Sequence, residues 1–206
     1  MDYIKLNLIN KSNDTNNSNI VIFQKNVASD YDETAVAWKV IKNFDKLDNH
    51  SFMFPVDFEI SVSDSYGNYT NFNKATNGQT FGVTKDYSGD VLNLLSEPTK
   101  DKNQVEIQNN LTSGAVNANC YKDGKLLAVK TGISPGQKAF FEFHPRIYIG
   151  LISQIEEGDI INSAILSEIN TVINLFGISG ADIVMTGGGS GKKSSSFNFV
   201  LENINQ

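Results

Sequence analysis

The second half of this 206-residue chain echoes the first. Phe52-Met53-Phe54-Pro55 leads into the alternating run Val56-Asp57-Phe58-Glu59-Ile60-Ser61-Val62-Ser63, with a turn at Gly67. Phe141-Glu142-Phe143-His144-Pro145 leads into Arg146-Ile147-Tyr148-Ile149-Gly150-Leu151-Ile152-Ser153, with a turn at Gly158. Phe81-Gly82-Val83 ahead of Ser88-Gly89-Asp90-Val91-Leu92 is matched by Phe176-Gly177-Ile178 ahead of Ser179-Gly180-Ala181-Asp182-Ile183-Val184. The same order of landmarks, half a chain apart, predicts a duplicated unit of short strands.

Alternation of apolar and polar residues supports strands almost throughout. Ile4, Leu6 and Leu8 alternate with polar neighbours, and further strands are expected at Ile20–Gln24, Ala35–Ile41, Phe52–Ser63, Thr80–Val83 and Val91–Leu95. Asp123-Gly124 between Val116–Lys122 and Lys125–Lys130 is a strong hairpin signal. Apolar residues at 161, 165, 169, 172, 173 and 176 fit a helical face, but Thr171, Val172 and Ile173 are poor helix formers. A short helix near 161–170 followed by a strand over 172–178 is expected. Asp182–Met185 and Phe197–Ile204 read as final strands around a Gly/Ser loop.

The expected fold is all-β: two similar tandem β-sandwiches, residues 1–100 and 103–206, joined by the charged, Pro98-bearing segment Ser96–Asn103. A single jelly-roll-like sandwich is the alternative. A core is feasible, since 40% of residues are hydrophobic, with 13 Phe and 7 Tyr. Charged residues make up only 19%, and 25 asparagines fill part of that gap. Much of the surface is therefore expected to be neutral and hydrogen-bonding.

Charge and composition exclude several classes. The net charge is −6 and Arg146 is the single arginine, which disfavours nucleic acid. Cys120 is the single cysteine, so no internal disulfide forms, and its apolar flanks Val116 and Ala118 mark it as a core residue. The first residues lack the basic and apolar regions of a secretory signal, so a cytoplasmic location is expected, with other export routes open. The longest nearly apolar run, Ile147–Ile152, is too short to span a bilayer.

Chemical motifs are weak. Thr186-Gly187-Gly188-Gly189-Ser190-Gly191-Lys192-Lys193-Ser194 resembles a phosphate-binding loop only superficially. Thr186 occupies its first glycine position, Lys193 its hydroxyl position, and a strand rather than a helix follows. His50 and His144 lack a nameable catalytic partner. Asp30, Asp32 and Glu33, with Asp45 and Asp48 beyond them, could offer oxygens to calcium, but EF-hand spacing is absent. No other cofactor is implied.

Tyr66, Asn68, Tyr69 and Phe72 form an aromatic and amide segment suited to sugars or protein partners. The functional expectation is a non-catalytic binding or assembly protein, self-associating or holding a carbohydrate or protein ligand, with the Gly187–Lys193 loop as a further contact surface. One alternative is a β-rich pore-former using the polar segments Asp64–Gln79 and Gly187–Ser196. Another is a hydrolase gathering carboxylates such as Asp57, Glu59 or Glu142.

Overall fold

Period-two burial decides most elements. Ile4, Leu6 and Leu8 turn inward from the first strand, while Lys5 faces out. The computed structural model describes residues 3–14, 18–28, 35–169 and 171–206. The fold is all-β and sandwich-like. Its first-half strands are β1 (Tyr3–Asn10), β2 (Ile20–Phe23), β3 (Ala35–Val36), β4 (Lys39–Ile41), β5 (Asn49–Pro55), β6 (Phe58–Ser63), β7 (Asn73–Ala75), β8 (Thr80–Asp86) and β9 (Gly89–Leu94). The second half holds β10 (Val105–Asn109), β11 (Val116–Lys122), β12 (Lys125–Ile133), β13 (Lys138–Phe141), β14 (Arg146–Leu151), β15 (Ile160–Ile161), the helix α1 (Ser163–Glu168), β16 (Thr171–Asn174), β17 (Gly180–Gly188) and β18 (Ser195–Asn205).

The chain divides into two units, the first from residues 1–24, 34–56 and 145–206, the second from 25–33 and 57–144. Neither coincides with the contiguous halves 1–100 and 103–206. The reason lies in strand pairing. In the first unit β1 pairs parallel with β17, and β2 pairs antiparallel with β14. In the second unit β8 pairs parallel with β10, and β6 pairs antiparallel with β11. Each unit is thus closed by strands of both halves.

The two units share one topology. Each has a mixed four-stranded sheet, β18-β17-β1-β5 or β9-β8-β10-β13, and an antiparallel one, β16-β14-β2-β4 or β7-β6-β11-β12. Order and strand sense match position by position. In chain order, β1, β2, β4 and β5 correspond to β10 to β13, and β6 to β9 correspond to β14, β16, β17 and β18.

The correspondence reaches single residues. Asn10 ends β1; its Oδ1 accepts from the Ser12 N–H at 2.9 Å and its Nδ2 donates to the Phe44 carbonyl at 2.8 Å. Asn109 ends β10; its Oδ1 accepts from the Leu111 N–H at 3.0 Å and its Nδ2 donates to the Ile133 carbonyl at 2.8 Å. The loops they brace turn through left-handed backbone at Asn43 and Leu47 in one unit and at Gly132 and Gly136 in the other. Leu6 pairs with Phe52 as Val105 pairs with Phe141. The Phe52-Met53-Phe54 and Phe141-Glu142-Phe143 landmarks therefore share a register. The later landmarks do not: Phe81-Gly82-Val83 lies inside β8, whereas Phe176-Gly177-Ile178 lies in the turn before β17.

Other expectations shift locally. The strand expected over 35–41 is broken into β3 and β4 by Ala37 and Trp38, both buried, and Trp38 packs edge-on against Phe54 at 5.3 Å. The helix is shorter than its apolar period: Asn162 caps it by accepting from the Ile165 N–H, and it ends before Ile169. The strand expected over 172–178 stops at Asn174, whose side chain accepts from the Phe176 N–H and starts a turn. Leu166 and Ile169 of this connection pack with Val21, Phe23, Ala35 and Ala37. That layer covers the second face of β2, which explains its unbroken Ile-Val-Ile-Phe run. The Asp123-Gly124 turn has both residues at positive φ, as a tight hairpin requires. No helix among the described residues is long and apolar enough to cross a membrane.

Burial also sets the ionisation of β11. Cys120 is fully buried, and desolvation pushes its thiol far above the usual range. Lys122 is buried too, and desolvation lowers its ammonium to about 8 from 10.5, against the opposing pull of Cys120 and Asp57. Between those values the unfolded chain binds the extra proton, so the lysine makes stability rise with pH. The raised thiol acts oppositely once an unfolded thiol ionises, above about pH 8.5. The comparison with Lys122→Met isolates the lysine. Wild type should gain on this variant by up to about 3 kcal/mol as pH passes through the window, read as urea midpoints. A pH-independent difference would count against a buried ammonium.

Candidate functional site

The connection between β6 and β7 occupies the chain position that α1 and β15 hold in the first unit. Here it is short and aromatic, and it carries all four residues expected from sequence. Tyr66 is 90% exposed, Tyr69 60% and Phe72 54%, so these rings do not tuck into the core.

Asp64 builds the loop. Its Oδ1 accepts from the N–H groups of Tyr66 at 2.8 Å and Asn68 at 2.9 Å, and its Oδ2 accepts from Asn68 Nδ2 at 2.8 Å. The Asn68 side chain, then the backbone donors, hold the Asp64 carboxyl below its ordinary value. Such a turn needs an Asx side chain followed by a residue of permitted positive φ, and Gly67 supplies it at 85°. Thr70 anchors the far side: its N–H donates to the Val62 carbonyl, and its Oγ1 accepts from the Val62 N–H at 3.0 Å.

Two adjoining hollows flank this loop. One, of about 460 Å³, is lined by Asp64, Asn68, Tyr69, Lys85, Ser88 and Asp90 among others. The second, of about 190 Å³, shares Asp64, Lys85 and Asp90 and adds Tyr66 and the segment 111–116. Lys85 and Asp90 face each other across the β8–β9 hairpin. Asp86 shapes the hairpin tip, accepting from the Ser88 N–H at 2.7 Å and the Ser88 hydroxyl at 2.6 Å, which lowers its carboxyl. Phe72 sits apart from the hollows, edge-on to Tyr121 with centroids 4.8 Å apart. The structure thus brings Tyr66, Asn68 and Tyr69 together and gives Phe72 a supporting place.

Sequence reasoning missed the other wall. Lys85, Ser88 and Asp90 belong to a different hairpin, and Tyr87 at its tip is fully exposed at 104%. The Asp86-Tyr87-Ser88-Gly89 turn was the available signal, an aromatic placed where a polar turn residue suffices.

The remaining candidates lie elsewhere. Asp30, Asp32 and Glu33 fall outside the described residues. Asp48 serves its own turn, its Oδ2 accepting from the Asp45 N–H at 3.0 Å. Among the described residues no group of three or more His, Cys, Asp and Glu is placed to hold a metal. Glu142 accepts from Gln104 Nε2 at 3.1 Å and lies 3.5 Å from His144 Nε2. Glu59 pairs across strands with Lys74. The Gly187–Lys193 loop is the β17–β18 hairpin tip, where a 3-10 turn over Gly191–Lys193 runs straight into strand. A Cβ at Gly187 would meet the Ser196 carbonyl oxygen at 2.0 Å, and one at Gly188 the Phe197 ring at 2.7 Å, so these two glycines serve close strand approach.

A larger hollow of about 640 Å³ lies over the mixed sheet of the first unit. Four of its polar side chains, Asn7, Ser51, Asp182 and Asn203, are bonded to one another. Asp182 accepts from Asn203 at 2.6 Å and from Asn7 at 3.1 Å, and Asn7 accepts from the Ser51 hydroxyl at 3.0 Å. The Asn203 amide first, then Asn7, hold the Asp182 carboxyl low. No family model, curated protein or solved structure matches this chain.

Proposed function

We propose that this protein is a non-catalytic binding module whose second unit takes a saccharide between the β6–β7 loop and the β8–β9 hairpin. One observation carries the reading: exposed tyrosines border hollows lined by carboxylates, an amide and an ammonium. Tyrosine rings offer flat apolar faces to the C–H surface of a sugar, while Asp90, Asn68 and Lys85 address its hydroxyls. The loop is pre-shaped by Asp64, so little ordering entropy opposes binding.

The test is titration of isotope-labelled protein with a panel of neutral and basic oligosaccharides, followed by amide shifts. Shifts should centre on residues 64–72 and 85–90. Tyr66→Ala and Tyr69→Ala should each weaken binding about tenfold, as expected for loss of one stacked ring of roughly 1.5 kcal/mol. Phe176→Ala, on an exposed first-unit turn, should leave it unchanged. Absence of any shift at millimolar saccharide, or shifts confined to the first unit, would overturn the assignment.

A further inference from the structure

Each half of the chain carries two blocks of four strands. The leading block is β1, β2, β4 and β5, or β10 to β13; the trailing block is β6 to β9, or β14, β16, β17 and β18. Among the described residues, the leading and trailing blocks of one half do not pair. Every unit is instead a leading block of one half closed on a trailing block of the other, with the same partners and strand senses both times.

The joints between blocks fit that exchange. Pro55 ends β5, and after two intervening residues, Val56 and Asp57, β6 begins in the other unit. Pro145 stands between β13 and β14, where the chain crosses back. A proline biases its predecessor to extended backbone, which opposes the tight reversal needed to lay a trailing block on its own leading block. The chain bends at Val56 and Asp57 and again at Pro145, and short joints of this kind between exchangeable blocks are where domain swapping hinges.

We propose that the chain is two copies of one eight-strand unit fused in exchange, and that its partner in self-association is a second copy of this chain, which supplies residues 145–206 to the leading block 1–56. The surfaces needed already exist. The contacts β1 makes with β17, and β2 with β14, are between segments separated by the whole second unit, so a trailing block from another chain satisfies them equally. Intramolecular closure is favoured at low protein concentration, because tethering acts as a local concentration on the order of millimolar. Exchange therefore takes over when chains fold at high concentration, and the product is a closed dimer of twice 22.7 kDa.

The experiment refolds the full chain from denaturant at about 2 µM, far below the millimolar effective concentration of tethering, and at about 1 mM, where a second chain competes with it, followed by size exclusion with light scattering. Monomer is expected from the dilute sample. A dimer that survives dilution for hours is expected from the concentrated one. A second variant, Asn7→Cys with Asp182→Cys, joins the paired β1 and β17, whose side chains already touch. Oxidised before unfolding, it should give monomer only, and reduction should restore the dimer. Should that variant fail to fold, tagged and untagged wild-type chains serve: the tag should retain untagged chain only when the two are mixed before refolding. Monomer alone at every concentration, an equal dimer from the oxidised variant, or retention after mixing folded samples would each overturn the proposal.

Discussion

A single cut between β9 and β10 is expected to leave the folded protein at its full 22.7 kDa. The segment is open to a protease: Lys100, Asp101, Lys102 and Asn103 are exposed. Thr99 is its one buried residue, tied to the Gly78 carbonyl by its N–H at 3.0 Å. A cleavage sequence placed after Asp101 yields fragments that share both units, since β1 to β5 lie in the first unit with β14 to β18, and β6 to β9 lie in the second with β10 to β13. Parting them would strip five strand–strand seams, β1 with β17, β2 with β14, β3 with β15, β8 with β10 and β6 with β11, and bare the apolar strands on both sides. Denaturant should separate the pieces, and native size exclusion should not. Two contiguous sandwiches would fall apart at once into particles of about half the mass, so elution of separated halves would refute the pairing described above.

Replacing Asn109 with alanine is expected to destabilise the second unit by about 3 kcal/mol, the usual scale for orphaning several buried polar groups. Its Nδ2 donates to the carbonyls of Gly114 at 2.9 Å and Ile133 at 2.8 Å, while its Oδ1 takes the Leu111 N–H at 3.0 Å. The residue is entirely buried, so water cannot take over. Asp is no substitute, since the oxygen in place of Nδ2 would set an acceptor against the Gly114 and Ile133 carbonyls. Asn10→Ala should act likewise on the first unit, more mildly, because its amide serves one carbonyl among the described bonds. Hydrogen exchange, read separately for the strands of each unit, distinguishes the two effects. Equal loss of protection in both units from either variant would contradict independent local bracing.

These asparagines show where the sequence was legible and where it was not. Alternation identified the strands where inward side chains such as Ile4, Leu6 and Leu8 are apolar and Lys5 and Asn7 between them are polar. It could not name strand partners: β6 carries the same period whether it pairs with β2 or β11, and only three-dimensional packing selects β11. The Phe-x-Phe landmarks held because Phe52 and Phe141 fill the same inward position. The expectation that asparagine mainly covers the surface missed Asn10, Asn109 and Asn119, which are buried. An amide that braces a loop and one that meets solvent have the same spelling. Tyr66 and Tyr69 were readable together because they lie three residues apart in one segment, whereas Phe72 of the same segment sits apart from the hollows. The opposite wall of the candidate site comes from a hairpin some twenty residues on, beyond the reach of any local pattern.

Trp38 and Cys120 are each unique in the chain, and the fold puts one in each unit. The indole sits among Phe52 and Phe54, so its fluorescence reports the first unit. The sealed thiol reacts with an alkylating reagent only when the second unit opens. The unmodified chain therefore carries two independent clocks. Emission and labelling rates recorded together in the same denaturant series reveal whether the units open in one cooperative event or in sequence, with no engineered probe at all.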